Sequence, residues 1–164
     1  APNGQSQVVI SVIGTADRPL ELHKLFTKTA GAVLDQTQSS GVYMSDQYLL
    51  LPKGFYVAAA RNLLNGDALP LYCWIYFGMQ QKDGRSGGYT YGLKEFGMPE
   101  MEIVDSANGL QDVHAVLYDV TSFIVKWNHP LKEGQVFEGL EDLKLPVVRS
   151  KAAYLEGETL KLVY

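Results

Sequence analysis

Three stretches of this chain bring back their larger side chains at spacings of three and four, while the stretches between them are rich in β-branched and aromatic residues. The first contains Leu22, Leu25, Phe26, Thr29 and Val33 on one face. It predicts a helix that starts around Asp17 and Pro19 and runs to about Asp35, with the proline in the first turn, where its missing N–H is no loss. Pro52-Lys53-Gly54 opens a second helix, Phe55 to Leu64, and Asn65-Gly66 closes it. The third carries Leu110, Val113, Leu117, Val120, Phe123, Ile124 and Trp127 on its apolar face. Asn108 stands as its capping residue, and Asn128-His129-Pro130 ends it.

The remaining segments read as strands. Gln7 to Gly14 (QVVISVIG) predicts a buried strand, and Val42 to Leu51 is extended. Pro70 to Gln80 is the most apolar stretch and is expected to be a central strand covered on both faces. Lys82 to Gly88 is polar and glycine-rich and reads as a loop. In Glu100-Met101-Glu102-Ile103 the alternation sends Met101 and Ile103 to a dry face and the two glutamates to a wet one. Short strands follow around Val136-Phe137, over Leu145 to Ala153 and over Thr159 to Tyr164, with Glu156-Gly157 as a turn. Helices alternate with strands early and strands run consecutively late. The expected fold is a single α+β domain over residues 1–164, with a mixed or antiparallel sheet and about three helices packed mainly on one face.

Composition narrows the function classes. Residues of apolar type make up 46% and charged residues 20%, which suits a folded domain rather than a disordered chain. Lys and Arg total 14 against 18 Asp and Glu, and no segment concentrates the cations, so binding to nucleic acid is not expected. No apolar run is long enough for a membrane span, and the Ala1-Pro2-Asn3-Gly4 start has neither a Met nor a secretory pattern. That start reads as the edge of a chain that was processed or excised from a longer one, and an alternative expectation is a structural module of that longer chain. Cys73 is the only cysteine and lies in an apolar run, so it is expected to be a small core residue of a cytoplasmic protein.

No catalytic constellation emerges. There is no Gly-x-Ser-x-Gly elbow, no dinucleotide fingerprint and no phosphate-binding loop, and no cofactor is implied. His23, His114 and His129 are not spaced as metal ligands, and surface or structural roles are expected for them. Glu100 and Glu102, about 7 Å apart along one strand face, have the spacing of an acid–base pair, but a solvated strand face is the expected reading of them. The remaining clue is aromatic. Ten tyrosines are many for 164 residues, and Tyr43, Tyr48, Tyr56, Tyr89 and Tyr91 fall at or near segment ends.

Thr90-Tyr91-Gly92-Leu93, Phe96-Gly97 and Pro99-Glu100-Met101-Glu102-Ile103 resemble the signature of a bacterial family catalogued as domain of unknown function 4261. Leu25-Phe26-Thr27-Lys28, Gly41-Val42-Tyr43 and the apolar segment with Trp74 fit the same order. The pattern is also distantly similar to suppressor-of-fused-like domains, a resemblance that implies a role of the immunity or adaptor kind and supplies no catalytic residues. The turn Leu93 to Phe96, between Gly92 and Gly97, is expected to present Tyr91, Lys94, Glu95 and Glu100, with Glu102 beyond, to a protein partner. The acidic balance favours a basic one. The competing expectation is an enzyme or small-ligand site between the Lys82–Gly88 loop and the Tyr89–Glu102 segment.

Overall fold

In a computed structural model, which describes residues 7–15, 17–66, 68–140 and 143–164, the chain forms three helices and two sheets. The Ala1–Gly4 start lies outside the described residues. Helix α1 (Pro19–Asp35) begins on its proline as the sequence predicts. A hairpin of β1 (Gly41–Met44) and β2 (Leu49–Pro52) leads into α2 (Lys53–Asn65). Strands β3 (Tyr76–Lys82), β4 (Arg85–Tyr91) and β5 (Met101–Ser106) precede helix α3 (Leu110–Trp127). Strands β6 (Val136–Leu140), β7 (Leu143–Lys151) and β8 (Glu158–Leu162) complete the chain.

The larger sheet runs β3-β4-β5-β8-β7-β6, antiparallel except where β5 and β8 lie parallel. This is the mixed α+β fold expected, with α3 packed across the sheet and α1 and α2 packed on each other beside the small hairpin. One apolar cluster joins all of these parts, from Ala30 and Leu34 of α1 through Trp74 and Phe96 to Leu117, Leu145 and Leu160. Trp74 is fully buried, and its indole Nε1 donates to the equally buried Thr27 Oγ1 at 2.8 Å, tying α1 to the segment that enters β3.

Five expectations about these elements change. Residues 7–15 form no strand, and Val8, Val9 and Ile13 are exposed; their β-branched composition describes a strand only where another strand supplies hydrogen bonds. The apolar stretch from Pro70 is broken by a 3-10 turn at Leu71–Cys73, and the strand after it lies at the sheet edge, not its centre. Its apolar residues reflect the buried turn, where Leu71, Cys73, Trp74 and Ile75 enter the core. The polar loop expected at Lys82–Gly88 is mostly strand: Asp83 and Gly84, both with positive φ, make a two-residue hairpin turn, and Ser86, Gly87 and Gly88 belong to β4. On α3 the buried face is Val113, Val116, Leu117, Val120, Ile124 and Val125, while Phe123 and Trp127 are exposed. Its first turn is capped by Asp112, whose carboxylate accepts the Gly109 N–H at 3.2 Å, rather than by Asn108.

Leu117 is fully buried where α3 meets the sheet. Leu117→Ala is expected to destabilise the fold by about 2–5 kcal/mol, read as a lower midpoint in denaturant unfolding with an unchanged slope.

Candidate functional site

The five residues singled out by sequence separate into two groups. Glu100 and Glu102 are internal ties, whereas Tyr91 and Lys94 reach the surface, and Glu95 is half-buried between them and α1. The expected wet face of β5 does not exist at Glu102, which is fully buried. Its face is covered because residues 152–157, between β7 and β8, fold back over it. Glu102 Oε2 accepts the Ala153 N–H at 2.9 Å, and Oε1 accepts the Tyr154 N–H at 3.1 Å. Lys161 Nζ stands 2.9 Å from Oε2 and spends its other protons on the Lys151 carbonyl and the Thr159 hydroxyl. Burial by itself would raise the Glu102 pKa, but the two amides and the ammonium outweigh it, and the carboxyl is held below its ordinary value.

Glu100 braces the next turn. Its Oε2 accepts the Thr90 hydroxyl at 2.8 Å and its Oε1 the Gly92 N–H at 2.7 Å. Here burial prevails over those hydrogen bonds, and the pKa is raised. The turn it braces requires its glycine: Gly92 has φ +126°, and a Cβ there would sit 2.6 Å from the Trp74 carbonyl oxygen. His23, expected at the solvent edge of α1, instead stacks on Phe96 with ring centroids 4.2 Å apart and meets Trp74 edge-on. Burial lowers its pKa, and the Pro19 carbonyl, 2.9 Å from Nδ1, works against that. His23 therefore supports the turn from below.

What the turn presents is a row of tyrosines on the sheet face turned away from α3. Tyr76 and Tyr91 are direct cross-strand partners on β3 and β4. Tyr48, at the end of the small hairpin, lies 6.2 Å from Tyr91, and Lys94 Nζ stands 5.6 Å from the centre of the Tyr91 ring. Tyr76 meets Tyr89 at 6.0 Å, and Tyr89 meets Tyr154 at 5.7 Å. Two glycines make room for these rings: the Tyr89 ring occupies the place of a Gly78 side chain, and the Tyr154 hydroxyl that of a Gly87 side chain. Burial, with Tyr76 alongside, raises the Tyr89 pKa, so its phenol stays protonated and remains a hydrogen-bond donor.

Sequence reasoning picked Tyr48, Tyr89 and Tyr91 out of this row and missed Tyr76 and Tyr154. The alternation Tyr89-Thr90-Tyr91 was the available signal for a common face. The contribution of Tyr154 depends on the fold-back held by Glu102.

Residues 89–163 match the family model described as Domain of unknown function (DUF4261). The matched stretch of this domain of unknown function starts inside β4 and holds Tyr89, Tyr91, Glu100, Glu102, Tyr154 and Lys161. No curated protein and no solved structure matches the chain significantly. Among the described residues no group of three or more His, Cys, Asp or Glu is placed to hold a metal ion, and no helix is long and apolar enough to cross a membrane. Cys73 is buried, and burial pushes its thiol up to about 12, so the residue takes the core position expected of it. Cavities of about 400 Å³, between Phe123 and Trp127 of α3 and the β6 edge, and of about 240 Å³, between α2 and Leu69–Cys73, lie away from the 82–102 segment.

The two glutamates should respond to pH with opposite sign. The Glu102 pKa lies below the ordinary 4.5, so its contribution to stability is present above that value and is lost as pH falls through the folded one. The Glu100 pKa is raised, so its contribution is present below the ordinary value and is lost as pH rises through the folded one. Glu102→Gln is expected to lose about 3 kcal/mol at neutral pH and to flatten the acid limb of the stability curve. Glu100→Gln should leave a steeper acid limb. Urea unfolding at a series of pH values distinguishes the two; parallel limbs for wild type and Glu102→Gln would refute the assignment.

Proposed function

We propose that this chain is a non-catalytic binding domain that takes another protein on the tyrosine row formed by Tyr48, Tyr91, Tyr76, Tyr89 and Tyr154. The observation that carries this reading is a row of five tyrosines, with Tyr76, Tyr89 and Tyr91 on one sheet face flanked by Tyr48 and Tyr154, two of the five seated over glycines. Tyrosine supplies broad contact area with few rotatable bonds and keeps a hydroxyl for a polar partner, which is why it recurs in binding surfaces.

The charge beside this row differs from the acidic balance of the whole chain. Glu100 and Glu102 are engaged internally, and Lys94 is the exposed charge over Tyr91. A partner with a carboxylate opposite Lys94 fits the row better than a basic one. The enzyme reading loses its two candidate carboxylates to the same internal contacts. A bacterial immunity or adaptor role would be of this binding kind and would call for no catalytic residues; the matched family model is itself described only as a domain of unknown function.

Capture from a native lysate, read by quantitative mass spectrometry, tests the reading. The Tyr76→Ala/Tyr91→Ala variant should lose a stoichiometric protein partner at least tenfold, as expected when central aromatic anchors are removed. Trp127→Ala, on the far groove, should retain it. Equal recovery by both variants, each with wild-type unfolding, would move the interface off the tyrosine row.

A further inference from the structure

The tyrosine row ends at a free strand. Among the described residues β3 pairs only with β4, and no backbone hydrogen bond joins Tyr76–Lys82 to any other described segment. The hairpin fixes which of its groups are spare. Lys82 and Arg85 close the two-residue turn, so they form a hydrogen-bonded pair, and by alternation so do Gln80 with Gly87, Gly78 with Tyr89, and Tyr76 with Tyr91. The N–H and C=O groups of Phe77, Met79 and Gln81 therefore point outward. Three donors and three acceptors stand along one edge at the period of an incoming strand.

Natural sheets protect such an edge with proline, a bulge, a charge within the strand or a covering element. The seven residues of β3 contain no proline and no bulge against β4, and the only charge is Lys82 at the turn. Both sides of the edge are aromatic instead. Tyr76 and Tyr89 stand on the open face. On the other, Phe77 packs with Tyr72 of the Leu71–Cys73 turn and with His114 and Tyr118 of α3, and Tyr72 is exposed with its hydroxyl 3.1 Å from His114 Nε2. A strand added here would place successive side chains alternately against one aromatic group and the other. Lys82, which has no ion pair among the described residues, waits at one end.

We infer that the partner enters as an extended segment that adds to β3, with apolar side chains on both of its faces and a carboxylate at the end beside Lys82. This rests on the reading of the tyrosine face as a protein-binding surface and specifies the mode of binding. Main-chain hydrogen bonds to Phe77, Met79 and Gln81 supply affinity, and the two aromatic groups select the side chains.

The test uses a phage-displayed library of seven-residue peptides, followed by synthetic versions of the selected ones. Selected sequences should carry apolar residues at successive positions, facing both aromatic groups, and an acidic residue towards one end. Gln81→Pro removes one outward donor and leaves the β3–β4 ladder intact, because that N–H is not used within the hairpin. It should weaken binding about tenfold or more, as should N-methylation of alternate peptide amides, with methylation of the intervening amides having little effect. Failure to select any peptide, or equal binding by Gln81→Pro, overturns the inference. If Gln81→Pro keeps the lysate partner while Tyr76→Ala/Tyr91→Ala loses it, the tyrosine face stands and strand addition falls. Self-association of the wild type that disappears in Gln81→Pro would assign the edge to a second copy of the chain and would also overturn it.

Discussion

The carboxylate of Glu102 is the point on which the tyrosine face depends. A fully buried carboxylate is tolerable only when its charge and its lone pairs are both answered, and here two backbone amides and one ammonium answer them. Those partners come from β8 and from the fold-back between β7 and β8, so one side chain on β5 joins three successive pieces of chain. The fold-back in turn lays Tyr154 over Gly87 and against Tyr89. Removing the ammonium or the carboxylate alone would leave the other buried without a counter-charge, which makes the pair cooperative with the whole C-terminal hairpin.

Glu100, two residues earlier, does comparable work with neutral donors. It gathers the Thr90 hydroxyl and the Gly92 amide, while the Thr90 hydroxyl also receives the Met101 N–H at 2.9 Å. The strand end at Tyr91 and the strand start at Met101 are thereby fastened across the intervening turn, with His23 and Phe96 stacked beneath. Tyr91 and Lys94 project from a braced corner. A side chain held on such a corner forfeits less conformational freedom on binding than one on a mobile loop.

Much of the frame was legible because it rests on periodicity. The bounds of α1, α2 and α3, the turn at Leu93–Phe96 and the three C-terminal strands all follow from apolar spacing and from glycine placement. Reading failed wherever a tertiary partner overrides a local pattern. Alternation placed Glu102 in water because it cannot register a segment 50 residues later that folds over the strand. Apolar density placed β3 at the centre because the same residues serve a buried 3-10 turn. Gln7–Gly14 has strand composition without a strand, since composition does not provide hydrogen-bonding neighbours. The candidate site divided along the same line: Tyr91 and Lys94 lie on a local turn and could be read from it, whereas Tyr76 and Tyr154 join them only through sheet register and the Glu102 tie.

A sheet face that only meets water and one that meets a partner differ in what they do with backbone area. Polar side chains of ordinary length would screen β3 and β4 from solvent and keep other strands away. This face instead has glycine at Gly78 and Gly87 and covers the gaps with Tyr89 from β4 and Tyr154 from the fold-back. The rings shield the backbone while offering flat apolar area with hydroxyls at the rim. A surface built for solubility alone gains nothing from that arrangement, because it exposes aromatic area and leaves a strand edge unguarded. On the reading proposed above, a second polypeptide would cover both features together.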